Sequence, residues 1–117
     1  MLLDNLPAGL QSQRETLAHC LEAIGRAMPV HAVYLFGSHA RGEARPDSDV
    51  DLCIVADGAE RQLEAARKFR EAMRDVWPCP ALTLLPISPQ RLAEKRARND
   101  HFLTTVLKEG VILASEN

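Results

Sequence analysis

The chain has 117 residues, 46% of them hydrophobic and 26% charged, and its formal net charge is −2. This length and apolar content predict one domain, spanning residues 1–117, with a substantial buried core. The small negative charge gives no general attraction for nucleic acid or an anionic membrane, and no apolar run approaches the roughly 20 residues of a membrane span.

Cysteine use and the amino terminus indicate a cytoplasmic protein. The first residues include an acid and no basic segment, which is not typical of a signal peptide. Cys20, Cys53 and Cys79 are an odd number, and none has a second cysteine or a histidine at the spacing of zinc ligands. We therefore expect three reduced, buried thiols and no zinc site.

The first third of the chain predicts a helix followed by a strand. Residues 1–9 contain proline and glycine and are expected to form a loose lead-in. From Leu10, apolar residues recur at helical spacing and predict an amphipathic helix that ends near residues 25–29. Residues 31–36 are β-branched and aromatic, which is typical of a strand.

The segment 37–52 joins this strand to a second one, predicted for residues 49–55. A glycine-opened loop after a strand can bring bare backbone N–H groups against a phosphate. Asp49 and Asp51 start the second strand, and their two-residue spacing places both carboxylates on one face. That face turns apolar further along, which predicts a strand that begins in a cleft and ends buried on both sides. The loop residues expected to be exposed are His39, Glu43, Arg45 and Asp47.

The next region predicts a helix and a short strand. Helical spacing covers residues 60–76, and two prolines stop the helix. The residues on its apolar side are Leu63, Ala66, Phe69 or Arg70, Met73, and Val76 or Trp77. Residues 81–85 predict a third strand, which Pro86 limits to an edge or an end of the sheet.

The carboxyl-terminal part predicts two helices. Ser88 and Pro89 have the types that begin a helix, as the N-cap and the first helical residue, and this helix runs to about residue 98. A second helix covers residues 100–109, with Phe102 on its apolar side. Residues 111–113 form either a short strand or a segment that packs on the domain. The order of elements predicts an α/β fold, a small mixed β-sheet flanked by helices.

The segment 37–52 carries a recognisable motif. Its sequence, GSHARGEARPDSDVDL, resembles the Gly-Ser, Ala-Arg-Gly and Ser-Asp-x-Asp-Leu signature of the minimal nucleotidyltransferases, within the DNA polymerase beta superfamily. The motif fixes about nine positions over sixteen residues, so it is far more specific than a lone GxGxxG. The resemblance extends more weakly over the rest of the chain and implies the polymerase beta-like nucleotidyltransferase fold.

This resemblance also implies a site for a nucleoside triphosphate, with ATP the expected nucleotide. Asp49 and Asp51 would be the catalytic residues and the ligands of Mg²⁺, in a family that uses a two-metal site. Gly37 and Ser38 would bind the triphosphate, and Arg41 would either join them or support the loop. Taken alone, Asp49 also fits a turn-capping aspartate, whereas Asp51 within an apolar strand needs a partner or a metal.

One expected carboxylate is missing. Active members of the superfamily carry a third acid on the following strand, and matching the helix start at Ser88 places that position at Thr83. No Asp or Glu occurs between Asp75 and Glu94, so no shift of register supplies one. Thr83 is thus a degenerate third-ligand position. Two functions stay open: transfer of a nucleoside monophosphate to an acceptor, and nucleotide or partner binding without turnover.

The resemblance further implies a protein partner. Small nucleotidyltransferases are often paired with a helical HEPN protein in toxin–antitoxin modules, where they bind the partner or attach AMP to it. A chain of 117 residues leaves little room for its own acceptor-recognition domain, which favours a protein acceptor. Nucleic acid is not expected, because the chain is slightly acidic and lacks an aromatic stacking platform. A basic stripe near residues 91–98 is either a docking surface or a solvated helix face. Its members are Arg91, Lys95, Arg96 and Arg98.

Overall fold

The computed structural model describes residues 1–116, which form a four-stranded sheet with helices packed on both faces. The strands are β1 (Val30–Phe36), β2 (Val50–Ala56), β3 (Leu82–Ile87) and β4 (Val111–Ser115). The helices are α1 (Arg14–Ala27), α2 (Ser38–Arg41), α3 (Gln62–Ala72), α4 (Pro89–Ala97) and α5 (His101–Glu109). The predicted α/β fold is confirmed. None of the helices in residues 1–116 is long and apolar enough to cross a membrane.

The sheet mixes antiparallel and parallel pairs in the order β3-β2-β1-β4. β1 runs antiparallel to both β2 and β4, whereas β2 runs parallel to β3. β3 lies at one edge, as Pro86 predicted, because a proline cannot donate a ladder hydrogen bond. Residues 111–113, for which the sequence left two possibilities, belong to the other edge strand.

The side chains of β2 alternate between two apolar cores. Leu52 packs in the larger core with Phe69 of α3 and with apolar residues of α1. Cys53 and Val55 face the opposite side and pack with apolar residues of α4 and α5. This alternation confirms that the acid-bearing face of the strand becomes buried along its length. It also places Asp51 on the face that α4 and α5 cover.

The amino-terminal segment packs on the domain, so the predicted loose lead-in is wrong. Two 3-10 turns, Leu3–Asn5 and Ala8–Gln13, precede α1, which therefore begins later than predicted. The Leu2 N–H donates to the carbonyl oxygen of Leu113 at 2.7 Å. Leu10 is fully buried in the larger core. These contacts extend the packed structure to the start of the described chain.

α3 turns most of its predicted apolar side to the core, but Leu63 is an exception. Phe69 and Met73 are buried as predicted, and Ala65 is buried with them, whereas Leu63 is 90% exposed. Leu63 and Ala65 are two positions apart, a rotation of about 200° at 3.6 residues per turn, so both cannot face the core. The helix also ends at Ala72, earlier than predicted.

α4 and α5 begin where the sequence predicted. The Ser88 hydroxyl accepts a hydrogen bond from the Arg91 N–H at 3.1 Å, and Pro89 is the first helical residue. Asp100 Oδ1 accepts one from the Leu103 N–H at 2.9 Å. Both caps satisfy backbone donors that a helix start leaves open, which fixes the two helices over the second face of the sheet.

The three cysteines differ in exposure. Cys20 and Cys53 are free and buried, as predicted. Cys79 is free but exposed, so the expectation of a buried thiol is wrong for this residue. It lies in the loop between α3 and β3 rather than within a helix or strand.

A charged cluster connects three strands at one end of the sheet, opposite the end that carries Asp49 and Asp51. His31 Nε2 lies 2.9 Å from Asp57 Oδ1, and its Nδ1 lies 2.6 Å from Glu116 Oε1. Hydrogen bonds to Glu116 and then to Asp57 raise the pKa of His31 above its ordinary value. The cluster joins the start of β1 to the residues that follow β2 and β4.

Candidate functional site

The candidate site begins at Gly37, where β1 ends. The residue has φ 76° and ψ −154°, a backbone conformation essentially restricted to glycine. A Cβ atom here would overlap the carboxylate of Asp51 and lie 3.1 Å from its Cγ. Glycine therefore lets the loop backbone pack directly against the second acid.

The segment after Gly37 contains one helical turn. α2 covers Ser38–Arg41, and Gly42 ends it in the left-handed conformation with φ 72°. The Glu43 N–H donates to the carbonyl oxygen of Ser38 at 2.9 Å, which closes the turn. Ser38, a predicted triphosphate-binding residue, is half-buried beside Gly37.

Asp51 lies in a row of residues that crosses three strands. Its cross-strand partners are Phe36 on β1 and Thr83 on β3. Directly paired residues project to the same face, so the aromatic ring, the carboxylate and the hydroxyl share one face of the sheet. Asp51 is half-buried, whereas Asp49, one residue before β2, is exposed.

The structure brings the two predicted acids and the degenerate position together. Thr83 Oγ1 donates to Asp49 Oδ2 at 3.1 Å. Burial raises the pKa of Asp51, and the charge of Asp49 raises it further, while Thr83, His39 and Arg41 lower it in part. A bound cation would offset both the burial cost and the repulsion between the acids.

The donor set suits Mg²⁺ but is short of one carboxylate for a two-metal site. Two carboxylates and a hydroxyl are the hard oxygen ligands that Mg²⁺ prefers. Within residues 1–116, no three His, Cys, Asp or Glu side chains are grouped so that they could hold a metal ion. In the described part of the chain, no distant acid therefore replaces the missing carboxylate near Thr83.

Arg41 lies near the acids and also contacts its own loop. Its Nε donates to Glu43 Oε2 at 3.3 Å, and its side chain is 44% exposed. Its positive charge lowers the pKa of Asp51. The geometry thus fits both roles that the sequence left open, support of the loop and attraction of an anionic ligand.

His39 is a neighbour of the site that the sequence analysis missed. It is half-buried, not exposed as predicted, and its Nε2–H donates to the carbonyl oxygen of Ser48 at 3.3 Å. This contact bridges the 37–52 segment just before Asp49. No sequence signal could have found it, because the acceptor is a backbone carbonyl. The other three loop residues, Glu43, Arg45 and Asp47, are exposed as predicted.

An aromatic pair borders the acids on the β1 side. The rings of Phe36 and Phe102 meet edge to face with centroids 6.0 Å apart, and Phe102 is 51% exposed. The pair lines a cavity of about 60 Å³ that also touches Gly37. A larger cavity of about 380 Å³ lies at the Ile87 end of β3, away from the acids.

The fold and this packing of a glycine loop on paired acids are those expected of a nucleotidyltransferase domain. The family model described as "Nucleotidyltransferase domain" matches residues 17–110. Since the match covers most of the chain, the protein belongs to this family, and the resemblance found in the sequence is confirmed. No curated protein matches the chain.

Two solved structures share the fold. One, from Sulfolobus solfataricus, is described as a candidate nucleotidyltransferase. It aligns with a TM-score of 0.58 and 19% identity over 87% of this chain and 79% of that chain. The other is described as a toxin–antitoxin with AMP-PNP. It aligns with a TM-score of 0.50 and 21% identity over 86% of this chain and 73% of that chain. At these identities the likeness shows the fold alone.

Proposed function

We propose that this protein binds a Mg²⁺-complexed nucleoside triphosphate at its acid pair and transfers a nucleoside monophosphate to a protein acceptor. The observation that carries the proposal is the packing of Gly37 on Asp51, with Asp49 beside it. A phosphate-binding loop and two carboxylates at one end of a sheet suit a metal–nucleotide ligand. Membership of the family supports the reaction class.

Each candidate residue has a role in this proposal. Gly37 allows close approach of the backbone, Ser38 supplies a hydroxyl donor, and Arg41 adds positive charge, all toward the triphosphate. Asp49 and Asp51 would hold Mg²⁺, which prefers hard oxygen ligands such as carboxylates. The bound ion would neutralise charge on the triphosphate.

The transfer exchanges one phosphorus–oxygen bond for another. The acceptor oxygen attacks the α-phosphorus, the bond from this phosphorus to the bridging oxygen breaks, and pyrophosphate leaves with the bonding electrons. The acceptor proton passes to water or to a base that the acceptor brings, because Thr83 cannot accept it near neutral pH. A missing general base costs about 10²–10⁴-fold in rate, so we expect slow transfer.

We further propose that the acceptor is a helical HEPN-type partner, that this chain acts as its antitoxin, and that the nucleotide is ATP. The toxin–antitoxin neighbour solved with AMP-PNP, an ATP analogue, supports a protein partner and this nucleotide. The basic stripe on α4 is a weaker candidate for the docking surface. Arg91 Nη1 lies 3.6 Å from Glu94 Oε2, and Lys95 Nζ lies 3.6 Å from Asp100 Oδ2. These local pairs neutralise half of the stripe and favour a solvated helix face.

A second function, nucleotide and partner binding without turnover, is favoured by one observation. Thr83 takes the place of the expected third acid, and its hydroxyl donates to Asp49. A hydroxyl there can orient the carboxylate but contributes neither a negative charge nor a base. The protein would then act as an antitoxin through its complex with the partner alone.

The two functions are separated by incubating the protein and its partner with Mg²⁺ and ATP radiolabelled at the α-phosphate. Transfer predicts label on the partner, lost when Asp49→Asn and Asp51→Asn are combined and kept with Asp47→Asn. Asp47 is the matched control, an exposed acid of the same segment. A stable complex that carries no label and survives the double substitution would favour binding without turnover. Absence of label together with absence of any Mg²⁺–ATP binding would reject the proposed site.

A further inference from the structure

Two cysteines far apart in the sequence meet between α1 and the loop that leads into β3. The Sγ atoms of Cys20 and Cys79 lie 3.8 Å apart, although 59 positions separate the residues. Cys20 is completely buried on α1, whereas Cys79 is exposed. An exposed cysteine thus lies next to a buried one, an arrangement in which an attacked thiol has a resolving thiol within reach.

We propose that Cys20 and Cys79 form a reversible intramolecular disulfide, with a small-molecule disulfide such as glutathione disulfide as the oxidant. The thiolate of Cys79 attacks the oxidant, so that a mixed disulfide forms and one glutathione leaves. The thiolate of Cys20 then attacks Cys79 Sγ, and the second glutathione leaves. Two protein thiols are oxidised, one glutathione disulfide is reduced to two glutathione molecules, and the two cysteine protons pass to them.

The surroundings of each sulfur set this order of events. Burial first, and then the charge and hydrogen bond of the neighbouring Cys79, raise the pKa of Cys20 to about 12. Cys20 is therefore a poor first nucleophile and is out of reach of a dissolved oxidant. Once Cys79 is in a mixed disulfide it carries no negative charge, so it no longer disfavours ionisation of the Cys20 thiol.

The loop between α3 and β3 can supply the remaining movement. A disulfide needs a sulfur–sulfur distance of about 2.05 Å, so Cys79 has to approach Cys20 by roughly 1.8 Å. Cys79 lies in an exposed loop outside the helices and strands, so we expect this residue rather than the buried Cys20 to move.

The same loop reaches the candidate site. The carbonyl oxygen of Ala81 accepts a hydrogen bond from the Val50 N–H at 2.9 Å, and Val50 stands between Asp49 and Asp51. A disulfide at Cys79 would thus anchor to α1 the segment that supports the acid pair.

Cys53 provides an internal control. It is fully buried on the opposite face of the sheet, and burial raises its pKa to about 12. It lies in the core that α4 and α5 cover, whereas Cys20 lies in the other core. We therefore expect Cys53 to remain a free thiol when the other two are oxidised.

The test titrates the full-length, reduced protein with glutathione disulfide and follows its intact mass, its alkylatable thiols in denaturant and its melting temperature. We expect the loss of two hydrogen atoms, one remaining thiol at Cys53, and a cross-linked peptide containing Cys20 and Cys79. The bridge closes a long loop, so the melting temperature should rise by about 5 °C or more and return on reduction.

Two variants sharpen the result. Cys79→Ser changes an exposed residue, so it should fold, keep both buried thiols and show no oxidation-dependent rise in melting temperature. Cys53→Ala should still form the bridge. The proposal is overturned if Cys79 stops at the glutathione adduct with Cys20 free, if it links two chains instead, or if all three thiols stay reduced.

Discussion

Replacing Thr83 by Asp should convert the candidate site into a faster transferase. Thr83 is exposed, pairs across the strands with Asp51 and hydrogen-bonds to Asp49, so a carboxylate there reaches the acids without rearranging β3. It would supply the missing base, whose absence typically costs about 10²–10⁴-fold. We therefore expect Thr83→Asp to raise the turnover rate by a factor of about 10² or more.

The same substitution should destabilise the protein when no Mg²⁺ is present. The new carboxylate adds a third negative charge beside Asp49 and Asp51, and one like-charge contact near 4 Å costs about 1 kcal/mol in a water-like dielectric. A loss of that size lowers the melting temperature by roughly 4 °C in a chain of this length. Added Mg²⁺ should restore it, because the cation offsets the repulsion.

The assay follows pyrophosphate release from ATP with Mg²⁺, with water or the partner as acceptor, and compares wild type with Thr83→Asp and Thr83→Asn. The Asn variant matches Asp in size without the charge, so it should neither accelerate release nor show the Mg²⁺-dependent recovery. If Thr83→Asp recovers its stability with Mg²⁺ but releases pyrophosphate no faster than wild type, the missing base does not limit the reaction.

Three further substitutions test the surrounding structure. Gly37→Ala should cost about 1–3 kcal/mol of folding stability and weaken Mg²⁺–ATP binding, since the residue needs a glycine-only backbone conformation and its Cβ would overlap Asp51. The carboxylates of Glu116 and Asp57 raise the pKa of His31. The cluster of these three residues should therefore stabilise the folded state fully below pH ~6.5 and lose this contribution as the pH rises through the raised pKa. Urea denaturation of His31→Gln should lack this pH-dependent component. Ser88→Ala should cost about 0.5–2 kcal/mol in the same assay by removing the cap of α4.

Matched variants and opposite outcomes make these predictions specific. Gly25→Ala lies inside α1, where an added Cβ meets nothing within 4 Å, so it should not destabilise. A Gly37→Ala protein as stable as Gly25→Ala would contradict the close packing of the loop on the acid. His19→Gln, an exposed change on α1, should keep the wild-type pH profile. Stability that rises with pH across the same interval in wild type would refute the sign assigned to the His31 cluster.

The features predictable from sequence are those that short stretches determine. The alternation of β2 placed Asp51 on one face because strand side chains repeat every two residues. Ser88 followed by a proline predicted the start of α4 because the cap and the first helical position involve only neighbouring residues. The position of Thr83 came from the family resemblance, by matching the helix start at Ser88, and the structure places this residue across from Asp51. Local pattern and resemblance together were needed to predict the acid end of the sheet.

The features that the sequence missed depend on contacts between distant segments. The start of the chain packs on β4 through a backbone hydrogen bond from Leu2, which no side-chain pattern encodes. Leu63 was predicted to face the core with Phe69 and Met73, but only those two are buried, and Ala65 rather than Leu63 packs beside them. His39 bonds to a backbone carbonyl, and Cys79 meets Cys20 only because the loop before β3 passes over α1.

In the proposed function, the acid pair and the glycine loop bind a Mg²⁺–nucleotide. The most direct measurement is the melting temperature with and without saturating Mg²⁺–ATP for wild type, for combined Asp49→Asn and Asp51→Asn, and for Asp47→Asn. A ligand at about 100 times its Kd stabilises the folded state by about 2.7 kcal/mol, so wild type and Asp47→Asn should melt several degrees higher. The double variant should show no shift. An unchanged melting temperature in wild type, or an equal rise in the double variant, would contradict the claim.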